Sequence, residues 1–235
     1  MIPLYLGIAA LAWLFTGCNS EEKKQEQEPM ITAEPPPRNE LTVGENEPAY
    51  GVYLQLTEAG LPLEKMDRVK RDGKVTEEDL FYAGDNFYLP KLSQEENQRW
   101  LEKIHTSFKD ASSRYFDRGA GQNGLTFPDV CKDLSLFKKA LFWNNNNEQA
   151  EFYLGACQSD PKRLQHVLQL NPEHAEAKQA LEKIYRESTM KNPKDAETWK
   201  NLGDVLKMQG KEKEANAAYH KALEINPQLQ IARGK

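Results

Sequence analysis

Apolar or small residues occupy every position from Ile2 to Phe15, a run of fourteen, and from Asn19 to Ala49 the chain is predominantly polar. A membrane-spanning helix needs about twenty such residues and the core of a secretory leader about seven to fifteen, so the length predicts a leader over residues 1–17. An uncleaved anchor is the alternative reading of the same run. The stretch that follows is rich in Glu, Lys and Gln, continues through Pro35-Pro36-Pro37 and has few large apolar side chains. Such a segment cannot bury enough surface to offset the entropy of ordering it, which predicts a disordered spacer or, alternatively, an acidic docking motif.

From Tyr50 onward the spacing of apolar positions becomes mainly helical. Asp72-Gly73 between Val69 and Val75 predicts a tight hairpin, and Thr76 with Asp79 predicts a helix start. Ser93 and Glu96 form a second capping pattern ahead of Trp100, Ile104, Phe108, Ala111 and Tyr115, which recur every three or four residues. Gly119, Gly121 and Gly124 then interrupt the chain. One helix is predicted from about 128 to 143, with Val130, Leu134, Phe137 and Leu141 on a face, and another from about 148 to 158. Further helices are predicted over 161–170, 174–188, 196–209 and 212–225. The fold class is all-α: helical hairpins in a short solenoid, preceded by the spacer and a mixed, mainly helical region.

The leader ends in Phe15-Thr16-Gly17-Cys18. This resembles the lipobox of bacterial lipoproteins, and the resemblance implies that Cys18 carries the lipid and becomes the mature N-terminus. Several acyl chains on one terminus anchor stably where a single chain binds marginally. Asn19 follows, and the same resemblance implies the outer membrane, on its periplasmic side, in a cell with two membranes.

Asn-Pro pairs stand at 171–172, 192–193 and 226–227, the last two thirty-four residues apart. Trp199, Leu202, Gly203, Ala215, Tyr219, Ala222 and Pro227 fall at positions that together resemble a tetratricopeptide repeat, with Leu206 where that family usually has Tyr. Gly203 and Ala215 lack bulk, so the two helices can approach while Tyr219 fills the space above them. The resemblance implies a partner groove lined by Glu197, Lys200, Asp204, Lys207 and Met208; a merely solvated face is the alternative. Upstream, Leu154-Gly155 starts a repeat whose proline would fall at 179, but Pro172 comes seven residues early. Helices before 196 thus read as shortened or degenerate repeats, required because one repeat cannot hide its own apolar face.

The chain divides into a leader (1–17), a lipidated acidic spacer (18–49), a mainly helical region (50–127), a helical hairpin with degenerate repeat-like helices (128–195), the repeat (196–229) and a tail (230–235). Charge changes the picture once: eight acids against three bases between 19 and 49 account for the whole net charge of −5, leaving a near-neutral body. That argues against nucleic acid as a partner, since phosphate neutralisation needs clustered Lys and Arg. With Cys18 lipidated and the body exported to an oxidising space, Cys131 and Cys157 are the remaining cysteines, equidistant in sequence from Asn144. They predict a disulfide across a helix pair; two buried thiols are the alternative.

No hydrolase motif or metal-ligand spacing occurs, and His105, His166, His174 and His220 read as surface residues. The sequence therefore predicts no catalytic residue, no metal and no cofactor beyond the covalent lipid. Its expected role is a non-catalytic envelope adaptor that binds a protein or peptide, is held to a membrane by its lipid, and takes no small-molecule substrate. A lipid-tethered enzyme with its site in residues 50–124, or a passive surface antigen or spacer, are the alternatives.

Overall fold

The computed structural model describes residues 40–121 and 127–231. The leader, Cys18, Asn19, the spacer as far as residue 39, Gly124 and the last four residues lie outside them. The elements in order are β1 (Glu40–Leu41), α1 (Tyr50–Glu58), a 3-10 turn (Leu63–Lys65), α2 (Asp67–Asp72), β2 (Lys74–Val75), α3 (Glu77–Asp85), α4 (Gln94–Ala120), α5 (Phe127–Val130), α6 (Ser135–Trp143), α7 (Glu148–Gln158), α8 (Pro161–Leu170), α9 (Ala175–Lys191), α10 (Ala196–Met208) and α11 (Glu212–Ile225). The all-α class holds, with two strands of two residues each among the described residues. Among the described residues no helix is long and apolar enough to cross a membrane.

Both capping patterns form: Thr76 and Asp79 open α3, and Ser93 and Glu96 open α4. Ile104, Phe108, Ala111 and Tyr115 bury one face of α4, whereas Trp100 is only partly buried, with Lys103 Nζ 4.6 Å from its ring centre. Two expectations fail in this region. Instead of turning a hairpin, Asp72-Gly73 ends α2: Gly73 takes φ +64° and donates its N–H to Val69 O, while β2 runs parallel to β1. Fully buried Val69 lies on that helix, so the turn serves a helix end.

The spacer also stops short of 49. Leu41 pairs with Val75, Val43 and Ala49 are buried, and Glu47 Oε2 accepts a hydrogen bond from Arg118 Nη1 (3.3 Å) and lies 3.3 Å from Tyr115 Oη. A few well-placed apolar side chains and a partnered carboxylate fold residues 40–49 into the body although their average composition is that of a spacer. Tyr115 Oη donates its one proton to Glu77 Oε1 at 2.9 Å, and Glu77 further accepts from Lys139 Nζ (2.6 Å) and Trp143 Nε1 (3.2 Å).

The helix expected over 128–143 is two helices. α5 ends at Val130, and α6 restarts at Ser135, whose N–H is taken by Asp133 Oδ1 at 2.9 Å. Phe137, Ala140 and Trp143 form the buried face of α6, while Leu134 and Leu141 only flank the core. The break places Cys131 beside Cys157 of α7, and the two form the disulfide (S–S 2.05 Å, Cα–Cα 5.3 Å).

α7 and α8 fold back through Ser159, at φ +51°, and Asp160, whose side chain caps α8 ahead of Pro161 at its first position. Asn-Pro pairs separate α8 from α9 and α9 from α10, and α9 runs to Lys191, a turn's length past its expected end, because nothing interrupts it before Asn192-Pro193. Gly210, at φ +73°, turns α10 into α11, which stops before Asn226-Pro227. Leu202, Val205 and fully buried Leu206 meet Ala215 and Ala218, and Leu164, Val167, Ala177, Leu181 and Tyr185 from the preceding helices complete this second core. The upstream helices thus cover the face that the last pair could not hide alone.

Candidate functional site

α10 is oriented at its start by two local contacts. Asp195 Oδ1 accepts the N–H groups of Glu197 (3.1 Å) and Thr198 (3.3 Å), and Thr198 Oγ1 donates to Asp195 Oδ2 at 2.6 Å. These hydrogen bonds, the Thr198 hydroxyl first, hold the Asp195 carboxyl below the ordinary aspartate range. Trp199 Nε1 donates to Pro193 O at 3.0 Å, which fixes the indole against the Asn-Pro turn.

Between α8 and α10, above Leu181 of α9, runs a groove of about 260 Å³. Leu168, Val205 and Met208 form its apolar surface with Leu181, and Gln165, Gln169, Asn201 and Asp204 line it with polar groups. Met208, at the groove's edge, is 55% exposed.

Of the five residues expected to line a groove, Asp204 and Met208 do so; Glu197, Lys200 and Lys207 do not. Lys200 Nζ sits 3.6 Å from both Glu197 Oε1 and Asp204 Oδ2, so these charges answer one another along α10. Asp204 also accepts from Tyr219 Oη at 2.8 Å, tying α10 to α11. Burial, then this bond to Asp204, raises the Tyr219 hydroxyl above the ordinary tyrosine range. Across the groove, Gln165 Nε2 donates to Tyr185 Oη at 2.8 Å; burial pushes that hydroxyl up to about 12, with the Asp204 charge adding to it.

Sequence reasoning missed Gln165, Leu168 and Gln169, since they belong to a helix whose repeat period is broken. The available signal was the pair of glutamines four residues apart on one face of α8. It also misplaced His174, whose side chain is only 10% exposed and caps α9 by accepting Ala177 N–H at Nδ1 (3.3 Å).

The core positions expected of the repeat come together. Leu202, Gly203, Ala215 and Ala222 are buried, Trp199 and Tyr219 pack at the edge of the second core, and Pro227 follows the end of α11. Aromatic side chains of residues 50–124 border two cavities, the second of them shared with residues 142–145. One holds Asn97, whose amide is taken up by Leu89 N–H (2.8 Å) and Leu89 O (3.0 Å); the other places His105 Nε2 3.8 Å from Asp85 Oδ1 beside Lys109. Among the described residues no group of three or more His, Cys, Asp or Glu side chains is arranged to hold a metal ion.

No curated protein matches this chain. The family profile described as Tetratricopeptide repeat matches residues 196–229, and repeats of that family are generally interaction modules rather than catalysts. α10, α11 and the Asn-Pro turn that follows them are therefore one tetratricopeptide repeat.

Proposed function

We propose that this protein is a non-catalytic, lipid-anchored adaptor of the bacterial cell envelope that holds an extended segment of a partner protein in the groove between α8 and α10. The observation that carries the reading is the groove's chemistry. Gln165, Gln169 and Asn201 supply side-chain amides, which both donate and accept and so suit a peptide backbone. Leu168 and Met208 offer an apolar surface for a side chain of that segment, over a floor of buried Leu181 and Val205. The tetratricopeptide repeat supports the assignment to protein binding. The anchor rests on the apolar leader and Cys18, with residues 19–39 as the acidic spacer between lipid and body.

A photo-crosslinking residue introduced in cells at Gln169 or Asn201 should give the same discrete adduct, and one at exposed Lys221 of α11 should give none. Met208→Arg should abolish the adducts. Adducts that survive Met208→Arg, or that arise equally from Lys221, would remove the groove from the function. Cys18→Ala should release the protein from the membrane fraction, and retention there would remove the lipid anchor.

A further inference from the structure

A second concavity, of about 580 Å³, opens where the starts of α7 and α9 meet α5, and its walls differ in chemistry from those of the groove. Phe127, Tyr153, Phe152 and His174 line the concavity as a chain of ring contacts, with successive centres 5.7, 5.7 and 4.8 Å apart and the rings tilted or edge-on to one another, while Tyr153 also stacks on Phe137 (5.0 Å). Phe127 remains 44% exposed in that lining. It is held there from below, since Cys131 N–H donates to Phe127 O and the Cys131–Cys157 disulfide joins the end of α5 to α7.

Three carboxylates, Glu148, Glu173 and Glu176, share the same cavity. Acids in the first turn of a helix stabilise its start, which accounts for Glu148 and Glu176 taken alone. It does not account for four aromatic side chains lining the same opening, one of them, Phe127, well exposed. Glu148 Oε1 accepts from Asn171 Nδ2 (3.2 Å), Glu176 Oε2 lies 3.3 Å from His174 Nδ1, and Lys178 Nζ pairs with Glu173 Oε2 (3.2 Å). With Lys178 counted, the site keeps an excess of negative charge beside aromatic side chains, of which Phe127 is the exposed one.

We propose that this cavity binds an arginine side chain of a peptide. A guanidinium is planar, stacks on aromatic faces and directs its N–H groups in the plane towards carboxylates, which matches a ring wall edged by Glu side chains. Its charge is opposite to that of the rim, so anions and acidic peptides are disfavoured. The site shares no lining residue with the groove between α8 and α10 and stands independently of it.

The test is calorimetric titration of the full chain with a capped Gly-Arg-Gly peptide, alongside the same peptide carrying citrulline, which keeps the shape and removes the charge. The arginine peptide should bind about tenfold or more tightly than the citrulline peptide, a cation–π and ion-pair difference. The triple variant Glu148→Gln, Glu173→Gln, Glu176→Gln should lose at least about tenfold in affinity with an unchanged circular dichroism spectrum. Glu173 and Glu176 are 90% and 70% exposed, so their amides leave the fold intact. Equal binding of the two peptides, undiminished binding by the triple variant, or no heat at millimolar peptide would each overturn the proposal.

Discussion

Gly155 of α7 lies so close to Leu164 of α8 that a Cβ at position 155 would stand 3.0 Å from Leu164 Cγ. The last hairpin uses the same device, where a Cβ on Gly203 would meet the Tyr219 ring at 2.5 and 2.6 Å. The first pair is thus a helical hairpin with the close approach of a repeat but shorter helices, which explains a proline seven residues early. The two contacts differ in severity. Gly203→Ala must displace a ring whose hydroxyl is bonded to Asp204, and should cost about 2 kcal/mol as overpacking does. Gly155→Ala meets Arg163 Cβ and Leu164 Cγ, both at 3.0 Å, needs a shift of a few tenths of an ångström in α8 and should cost about 1 kcal/mol, partly offset by the better helix propensity of alanine. Urea unfolding of the two variants measures the difference, and equal losses would contradict this ranking.

Glu182 joins α9 to the turn between α10 and α11. Its side chain, 13% exposed, accepts from Lys211 Nζ (2.7 Å), Arg186 Nε (2.9 Å) and Gln209 Nε2 (2.9 Å). Burial alone would raise its pKa, but these three bonds together hold it below the usual glutamate range. A depressed folded-state value contributes stability that is complete above the unfolded pKa, about 4.3, and is lost as pH falls through the folded one. Glu182→Ala should therefore destabilise the protein by about 2 kcal/mol near neutrality and progressively less below pH 4. A penalty that stayed constant down to pH 2 would show that packing, not charge, is lost.

At the alkaline end the sign reverses. Tyr185 is raised to about 12 by burial and the Asp204 charge, and Tyr115 is raised by burial together with Glu77 and Glu47. Raised values contribute stability that is complete below the unfolded tyrosine pKa, about 10, and is lost as pH rises towards the folded ones. Thermal midpoints should fall above pH 10, and Tyr185→Phe should flatten part of that fall because it removes one of the titrating hydroxyls. An unchanged slope in Tyr185→Phe would exclude it as a contributor.

The repeat was legible because its signals are local: Gly203, Ala215 and Pro227 act through steric room and a helix stop, and each shows in the sequence at its own position. The capping pairs at Thr76 and Ser93 were legible for the same reason. The break at 131–134 was not, since Val130, Leu134 and Phe137 keep helical spacing across it, and the restart depends on one side-chain bond from Asp133. Residues 40–49 were hidden by averaging, because partners for Leu41 and Glu47 lie more than thirty residues away. Of the concavity between α8 and α10, Asp204 and Met208 stand at positions that the repeat resemblance names, whereas Gln165 and Gln169 sit on a neighbour without its period. Lys200 lies 3.6 Å from both Glu197 and Asp204, a pairing that spacing along α10 does not by itself reveal.

The disulfide closes a loop whose ends are 26 residues apart, spanning the break after α5, all of α6 and nearly all of α7. On chain-entropy grounds a loop of that length stabilises the fold by about 3 to 4 kcal/mol, by restricting the unfolded chain. It has a local effect too, because α5 is a single turn and Cys131 follows it directly. Cys131→Ala with Cys157→Ala should lower stability by about 3 kcal/mol in denaturant unfolding, and reducing the wild type should reproduce that loss. The same variant should raise amide exchange at Val130 and Cys131→Ala far more than in α10 and α11, whose core lies elsewhere. Wild-type stability in the reduced protein would mean that packing of α6 and α7 already fixes the loop, and that the bond adds nothing the fold lacks.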